Sequence, residues 1–229
     1  MMERNRKKTE RTIRAVVFDM DGVLIDSEPV YLRHTVGMLQ ADYPQVTEKA
    51  MNPTVGMRSK EYRTFMAGLL RMEEEDPGFL ELIERINDEC HVDYREIMRP
   101  EVPGLLRTLR DMGLKTGLAS SSSISNIQQV LKECGITEYF DSIISGDAFR
   151  RAKPDPEIYF CTFERLGVSP QEALVVEDST YGVAAGAASG AFVTALKDNR
   201  FSFDQSPADM RIKSLAEIPA IVAGGGRSI

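Results

Sequence analysis

The segment IRAVVFDMDG, residues 13–22, joins a short apolar run to two aspartates and a glycine. The run at 13–18 is rich in β-branched residues and ends in Phe18, which predicts a strand buried on both faces. Asp19 and Asp21 follow at once, so both belong to the loop that leaves the carboxyl end of this strand. Ligands of open α/β sheets bind at that edge, so the segment predicts a central strand and a polar site beside it.

Similar apolar runs recur along the chain, at 115–119, 142–145, 173–176 and 191–195. Between them lie segments with helical periodicity, at 102–112, 124–134 and 157–166. The last of these follows Pro156 and stops at Gly167, which is typical of helices that begin at proline and end at glycine. Alternating strands and helices of this kind predict a doubly wound parallel α/β sheet, a Rossmann-like arrangement.

Residues 28–98 interrupt the alternation, because they are helix-rich, strand-poor and punctuated by Pro44, Pro53 and Pro77. We interpret them as an α-helical cap domain inserted directly after the first strand. The predicted division is therefore a core at 12–27, the cap at 28–98, the remainder of the core at 99–222, and flexible tails at 1–11 and 223–229.

The net charge, the cysteines and the length of the apolar runs argue against some classes of partner. The chain has 229 residues and a net charge of −7, which argues against a nucleic-acid partner but allows a small anionic ligand. Its three cysteines are odd in number and far apart, which predicts reduced thiols and a cytoplasmic location. Every apolar run is too short to cross a bilayer, so we expect no membrane partner. We expect a monomer or a weak homo-oligomer.

The residues that follow the predicted strands share the ability to bind a metal ion or a phosphate. They are Asp19, Asp21 and Gly22 after the first strand, Ser120 and Ser121 after the second, Lys153 in the loop after the third, and Glu177 and Asp178 after the fourth. An all-oxygen set of carboxylates suits Mg²⁺. Two like charges 4 Å apart cost about 4 kcal/mol at an effective dielectric of about 20, so we expect Mg²⁺ and the lysine to offset the acids.

The smaller residues of this set fit the same interpretation. Gly22 permits the backbone to turn close to a ligand. Ser120 precedes a helical segment, so its hydroxyl and the N–H groups after it can hold phosphate oxygens. Taken singly, each element has a plainer explanation, since loop aspartates often cap turns and a serine before a helix is often an N-cap. Their joint placement at consecutive strand ends favours a site.

Together these motifs resemble those of the haloacid dehalogenase-like hydrolase superfamily. The matching segments are DMDGVLIDSE at 19–28, LAS at 118–120, KPDPEIY at 153–159 and VEDS at 176–179. The chain is most similar to the phosphatase and β-phosphoglucomutase branch, which carries an α-helical cap after the first motif. Over roughly residues 12–220, the resemblance implies this fold and a phosphoryl-transfer activity.

The resemblance also implies a role for each matching residue. Asp19 would attack phosphorus and form an aspartyl-phosphate, and Asp21 would protonate the leaving oxygen and then activate water. Ser120 and Lys153 would bind the phosphoryl group. The implied Mg²⁺ ligands are Asp19, the backbone carbonyl of Asp21, Asp178 and, directly or through water, Glu177. An acid at the position of Asp21 favours phosphate-ester chemistry over dehalogenation.

Three cap-side residues bear on the substrate. Arg58 lies in a segment, TVGMR at 54–58, that resembles the substrate-contacting loop of this branch, although an exposed salt-bridging arginine explains it equally well. Ser27 and Tyr31 stand where the mutases of this branch carry a threonine and a histidine that control Asp21. Tyrosine offers no near-neutral imidazole, which favours hydrolysis.

We therefore predict a Mg²⁺-dependent phosphatase acting on a small phosphorylated metabolite, such as a sugar phosphate. Two alternatives stay open at this point. One is a β-phosphoglucomutase, which moves a phosphate within a sugar, and the other is a non-catalytic regulatory protein with the same fold.

Overall fold

The computed structural model describes residues 12–57 and 59–226. In this part of the chain one parallel sheet contains β1 (Ala15–Phe18), β2 (Lys115–Ser120), β3 (Ser142–Ser145), β4 (Ala173–Glu177), β5 (Phe192–Leu196) and β6 (Met210–Ile212). The spatial order is β3–β2–β1–β4–β5–β6. The first strand thus lies between β2 and β4, as expected for a doubly wound sheet, and the prediction of this fold class is confirmed.

Helices cover both faces of the sheet. The helices of the described residues are α1 (Glu28–Leu39), α2 (Glu48–Met51), α3 (Ser59–Leu70), α4 (Pro77–Asp88), α5 (Tyr94–Ile97), α6 (Val102–Asp111), α7 (Ile124–Cys134), α8 (Glu157–Leu166), α9 (Thr180–Ser189) and α10 (Ile218–Ala223). Side chains alternate along a strand. Val16 and Phe18 accordingly pack in one apolar layer with α6, α7 and α10, while Ala15 and Val17 pack in the other with α8 and α9.

The helices α1 to α4 surround an apolar cluster of their own, separate from the two layers on the sheet. Met51 and Phe79 are fully buried within it. The start of α4 is well defined, because Asp76 Oδ1 accepts hydrogen bonds from the N–H groups of Gly78 and Phe79 at 2.7 and 3.2 Å. This segment lies between β1 and α6, where the sequence predicts the cap.

The chain enters and leaves the helical segment at one place. The Asp26 N–H donates to the Ile97 carbonyl at 2.8 Å, and the Arg99 N–H donates to the Leu24 carbonyl at 3.0 Å. We call residues 24–26 and 97–99 the paired linkers. Arg200, in the loop after β5, donates from two nitrogens to the Asp26 carboxylate at 2.9 and 2.6 Å. The paired linkers are therefore bound to each other and to the core.

Two elements differ from the sequence-based prediction, and part of the predicted tails lies outside the described residues. The edge strand β6 was not predicted, because its three residues are only partly apolar. Helix α10 ends at Ala223, one residue inside the predicted C-terminal tail, since Ile221 and Val222 of its last turn are buried. The rest of the tail predictions fall on 224–226, which form a turn, and on 1–11 and 227–229, outside the described residues. No helix in the described ranges has the length and apolar character needed to cross a membrane.

Candidate active site

The sheet brings the predicted acidic residues to one edge. Phe18 is in register with Leu118 of β2 and Val176 of β4, so Asp19 follows β1 beside the ends of both neighbouring strands. The Asp19 N–H continues the pairing by donating to the Val176 carbonyl at 3.0 Å. The strands β2 and β4 run one residue further than predicted, into Ser120 and Glu177. The site residues are thus fixed by strand pairing.

Lys153 reaches this edge from the loop between β3 and α8. Its Nζ lies 2.7 Å from Asp19 Oδ1, 2.6 Å from Glu177 Oε1 and 2.9 Å from the Ala119 carbonyl oxygen. Burial acts to lower the pKa of Lys153, but the Asp19 and Glu177 carboxylates raise it well above its ordinary value. The lysine is therefore a buried ammonium group, held between two carboxylates.

Glu177 is fully buried and receives hydrogen bonds at both carboxylate oxygens. Its Oε1 accepts from Lys153 and from the Tyr159 hydroxyl. Its Oε2 has longer contacts, 3.3 Å from the Asp178 N–H and 3.5 Å from Ser179 Oγ. Gly182 lies directly beneath it, and a Cβ atom at that position would be 2.0 Å from Oε2. A glycine in α9 is therefore required for Glu177 to occupy this place.

Asp178 is held in a similar way. A Cβ atom on Gly22, whose φ is +76°, would be 2.0 Å from Asp178 Oδ2. The Gln205 side chain donates to the Asp178 carbonyl at 2.6 Å. Burial raises the pKa of Asp178 well above its ordinary value, and the neighbouring Glu177 and Asp19 carboxylates raise it further. Gly22, predicted to lie near a ligand, thus shapes the loop that contacts this carboxylate.

The cluster has the charge and the donor atoms of a divalent-cation site. Carboxylate oxygens of Asp19, Glu177 and Asp178 lie within 4.8 Å of one another. Burial raises the pKa of Asp19 to about 8 against the opposing effect of Lys153. With all three carboxylates ionised, the cluster and the Lys153 ammonium group would carry an excess of two negative charges. Burial and this excess raise the pKa values of Asp19 and Asp178, and a divalent cation would offset the excess. Hard oxygen donors suit Mg²⁺, so the residues present fit the predicted metal.

Asp21 lies beside this cluster and is held by two serine hydroxyls. Ser27 Oγ donates to Asp21 Oδ1 at 2.7 Å, and Ser122 Oγ donates to Asp21 Oδ2 at 2.7 Å. Ser27 belongs to the chain entering α1, while Ser122 belongs to the loop after β2. The pair fixes the plane of the carboxylate of Asp21, the residue that the sequence predicts to transfer a proton.

The two other predicted serines take different positions. Ser120 is buried, and its Oγ accepts a hydrogen bond from the Ser122 N–H at 3.0 Å, so it shapes the loop after β2. Ser121 is exposed and lies with Lys153 and Arg151 at a cavity of about 230 Å³. Ser121 and Lys153 therefore share one opening, and Lys153 connects its lining to the acidic cluster.

On the cap side, Tyr31 lies near Asp21. Burial raises the pKa of its phenol, followed by the Asp21 carboxylate and by Tyr94, to which Tyr31 donates a hydrogen bond. Tyr94 in turn accepts from Asn126 Nδ2 at 2.8 Å. Tyr31 is thus a neutral group at every pH at which the protein would be assayed. Arg58, the other predicted cap residue, lies outside the described residues.

The loop before α3 lies against the core. A Cβ atom on Gly56 would be 3.3 Å from the Phe203 ring and 3.8 Å from Ser179 Cβ. The Gly56 N–H also donates to the Glu28 carboxylate. Burial raises the pKa of Glu28 to about 7, and the Asp21 charge adds to the effect. A further contact joins the Tyr181 hydroxyl in α9 to Glu61 Oε2 in α3 at 3.0 Å. The helical segment therefore lies close over the acidic cluster.

Most of the chain matches a known protein family. A family model of the haloacid dehalogenase-like hydrolases matches residues 13–190, a range that includes every strand end that contributes to the site. The chain belongs to the haloacid dehalogenase-like hydrolases. This confirms the resemblance seen in the motifs, and the residues that carry it are those that the fold brings together.

Several relatives of this hydrolase are phosphatases. The phosphorylated carbohydrates phosphatase of Thermotoga maritima is 31% identical over 180 residues, which are 78% of this chain and 82% of that protein. Hexitol phosphatase B of Escherichia coli K12 is 30% identical over 222 residues, or 93% and 97%. A family hydrolase from Deinococcus radiodurans, solved with bound phosphate and sodium, is 26% identical with a TM-score of 0.76, covering 94% of this chain and 97% of that one.

Some residues of this hydrolase's site were not predicted as site residues. The motifs give no role to Ser122 or Gly182, and Tyr159 enters only as the last residue of the matching segment 153–159. Glu28 was placed at the cap boundary without a role. Ser122 and Tyr159 give little signal in the sequence, because each acts through a contact with a residue at least 18 positions away, Asp21 for Ser122 and Glu177 for Tyr159. For Gly182, its place three residues after Ser179 in the motif that ends β4 could have been such a signal.

Proposed function

We propose that this chain is a Mg²⁺-dependent phosphatase that hydrolyses a small phosphorylated carbohydrate through an aspartyl-phosphate at Asp19. The observation that carries the proposal is the triple contact of Lys153 with Asp19, Glu177 and the Ala119 carbonyl, next to a carboxylate cluster that fits a divalent cation. A buried carboxylate that can act as nucleophile, an ammonium group and a cation together suit phosphoryl transfer, in which catalysis is mainly positioning and electrostatic stabilisation.

The proposed reaction has two steps, and Asp21 gives up a proton in the first and regains one in the second. The Asp19 carboxylate attacks phosphorus, the bond to the leaving oxygen breaks, and a protonated Asp21 gives that oxygen its proton. In the second half Asp21 takes a proton from the water that attacks the phosphorus of the aspartyl-phosphate, and Asp19 is released. Ser27 and Ser122 hold Asp21 for both transfers.

Lys153 and the metal would carry the charge of the transferring group. Lys153 already holds one oxygen of Asp19, so it orients the nucleophile and lies where it would bind a phosphoryl oxygen. Mg²⁺, bound by Asp19, the Asp21 carbonyl and Asp178, would supply electrostatic stabilisation of the phosphoryl oxygens. Glu177 would contribute directly or through water. Ser120 and Ser121 would complete the phosphoryl site.

The substrate class is proposed from the relatives, one of which is named for phosphorylated carbohydrates and another for hexitol phosphates. The leaving group would lie between the cluster and the helical segment that we interpret as the cap. Arg58 remains our proposed contact for that group, and Tyr31 would face it beside Asp21. We place the enzyme in the cytoplasm, which is consistent with free thiols at Cys90, Cys134 and Cys161.

Hydrolysis is favoured over mutase action by Tyr31. A mutase must keep Asp21 from activating water until a sugar binds, and in the branch that this chain resembles a histidine takes part in that control. Here a phenol donates to Tyr94 instead, and its raised pKa keeps it neutral. The position therefore offers no group that changes charge near neutral pH.

The first experiment tests the nucleophile. Asp19→Asn should lower kcat at least roughly 10⁴-fold on p-nitrophenyl phosphate while leaving the circular-dichroism spectrum unchanged, because an amide cannot form the acyl phosphate. Asp42→Asn, at an exposed aspartate, is the matched control and should keep full activity. Substantial turnover by Asp19→Asn, with deamidation excluded by mass spectrometry, would overturn the mechanism.

A second experiment separates the two enzyme activities. The wild-type enzyme is incubated with β-glucose 1-phosphate, Mg²⁺ and a trace of glucose 1,6-bisphosphate, and glucose 6-phosphate and free phosphate are followed separately. A panel of sugar phosphates and hexitol phosphates is assayed in parallel for phosphate release. Rapid formation of glucose 6-phosphate with negligible release of phosphate would replace the hydrolase with the mutase.

A further inference from the structure

Tyr159 places a hydroxyl group inside the site without reaching the space where a substrate would bind. The tyrosine lies on the buried side of α8, and both it and Glu177 have 0% relative exposure. Its hydroxyl donates to Glu177 Oε1, and the face of its ring lies 5.2 Å from Lys153 Nζ. The Tyr159 hydroxyl is therefore a buried hydrogen-bond donor to Glu177.

The two carboxylate oxygens of Glu177 differ in their remaining capacity to accept a hydrogen bond or to bind a cation. Oε1 accepts from both Lys153 and Tyr159, which occupies its lone pairs. Among the described residues, Oε2 has two long hydrogen bonds, at 3.3 Å from the Asp178 N–H and 3.5 Å from Ser179 Oγ. Carboxylate oxygens of Glu177, Asp19 and Asp178 meet within 4.8 Å, and Oε1 already accepts from two donors, which leaves Oε2 the greater capacity to serve a cation or its water shell.

The two groups that donate to Oε1 differ in their other partners. Among the described residues the Tyr159 hydroxyl donates to Glu177 alone, whereas Lys153 also donates to two other groups. Lys153 divides its three N–H groups among Asp19, Glu177 and Ala119, and it must give part of this up when a phosphoryl group arrives. The hydroxyl has no such second partner in the proposed reaction. It can therefore keep the carboxylate plane of Glu177 fixed while the lysine changes partners.

We propose that Tyr159 is a positioning residue for the metal site, whose hydroxyl fixes the rotation of the Glu177 carboxylate so that Oε2 faces the cation. The inference rests on the Mg²⁺ site of the proposed function. Partners of this kind, one step behind the ligands, typically contribute 10–100-fold to metal affinity or activity. We therefore expect about a 10-fold effect from loss of the hydroxyl.

The test is Tyr159→Phe, which removes one oxygen and keeps the ring in α8. Mg²⁺ binding to the substrate-free protein is measured by titration calorimetry, and the dissociation constant should rise about 10-fold. The kcat should fall at limiting Mg²⁺ and recover at saturating Mg²⁺, with KM for the phosphate ester unchanged. Tyr43→Phe is the matched control, because among the described residues that hydroxyl donates to Met72 Sδ, at 3.8 Å, beside the apolar cluster of α1 to α4. The Tyr43→Phe variant should bind Mg²⁺ like the wild type.

Each outcome of the Mg²⁺ titration either supports or overturns the proposed role of Tyr159. A folded Tyr159→Phe variant with wild-type Mg²⁺ affinity would overturn the role of Tyr159 and leave the proposed function intact. A wild-type protein that binds no Mg²⁺ would overturn the metal site and this inference with it. If Tyr159→Phe does not fold, Glu177→Gln in the same titration decides, because wild-type affinity would show that Glu177 has no part in metal binding, whereas a loss of 10-fold or more supports the inference.

Discussion

The substitution Gly182→Ala tests how closely the carboxylate of Glu177 is enclosed. An added Cβ atom would lie 2.0 Å from Oε2, 2.1 Å from Cδ and 2.1 Å from Oε1, whereas ordinary contact begins at 3.4 Å. The whole carboxyl group must therefore retreat by ~1.3 Å, since no rotation removes all three overlaps. A shift of that size breaks the 2.6 Å contact with Lys153 and the hydrogen bond from Tyr159.

Two opposing effects determine the magnitude. Replacing glycine by alanine in a helix stabilises a protein by about 0.5–1 kcal/mol. Disrupting a buried ion pair costs about 3–5 kcal/mol. We expect a net loss of about 2–4 kcal/mol in the free energy of unfolding, and about a 100-fold loss in kcat/KM, because a 1 Å misplacement in an active site has that order of effect.

The measurements are urea unfolding and kcat/KM for p-nitrophenyl phosphate at saturating Mg²⁺. Gly37→Ala is the matched control, because this glycine is exposed in helix α1 and its Cβ would meet nothing within 4 Å. That variant should be about 0.5–1 kcal/mol more stable than the wild type and fully active. If Gly182→Ala behaved in the same way, the enclosure of Glu177 and the argument from its contacts would be refuted.

Two further predictions concern pH and metal choice. The pKa of Glu28 is raised to about 7 in the folded protein, so its stabilising contribution is present below its ordinary value of 4.5 and is lost as pH rises through about 7. In metal-free protein, Glu28→Gln should therefore be up to about 3 kcal/mol more stable than the wild type at pH 8 and nearly equal at pH 4, and equal differences in urea unfolding at both pH values would contradict this. Ca²⁺ should inhibit the Mg²⁺-supported reaction, because it accepts more oxygens and can engage both oxygens of the Asp19 carboxylate; full activity with Ca²⁺ alone, or after exhaustive chelation, would be the opposite result.

The sequence was sufficient to predict which residues meet at the sheet edge. Asp19, Glu177 and Ser120 follow buried apolar runs, and in a parallel sheet all such strand ends lie on one side, so pattern alone predicts their proximity. It could not predict that the Tyr159 hydroxyl meets Glu177, because that depends on how α8 packs on the sheet. The short edge strand β6 was missed for a related reason, since its pairing with β5 rather than its own apolar content makes it a strand.

The paired linkers have a consequence for how this chain folds. Ala15 pairs with Lys115, a hundred residues later, so the central strand pairing closes a very long loop. Once Ile25 has met Met98, the same pairing closes a loop only about a quarter as long, which lowers its entropic cost by about 1.2 kcal/mol. We therefore expect the inserted helices to fold early and to bring β1 close to β2, so that the Rossmann-like sheet can form. Stopped-flow refolding of Met98→Gly, with folding slowed more than unfolding is accelerated, would show that the linkers form before the sheet closes.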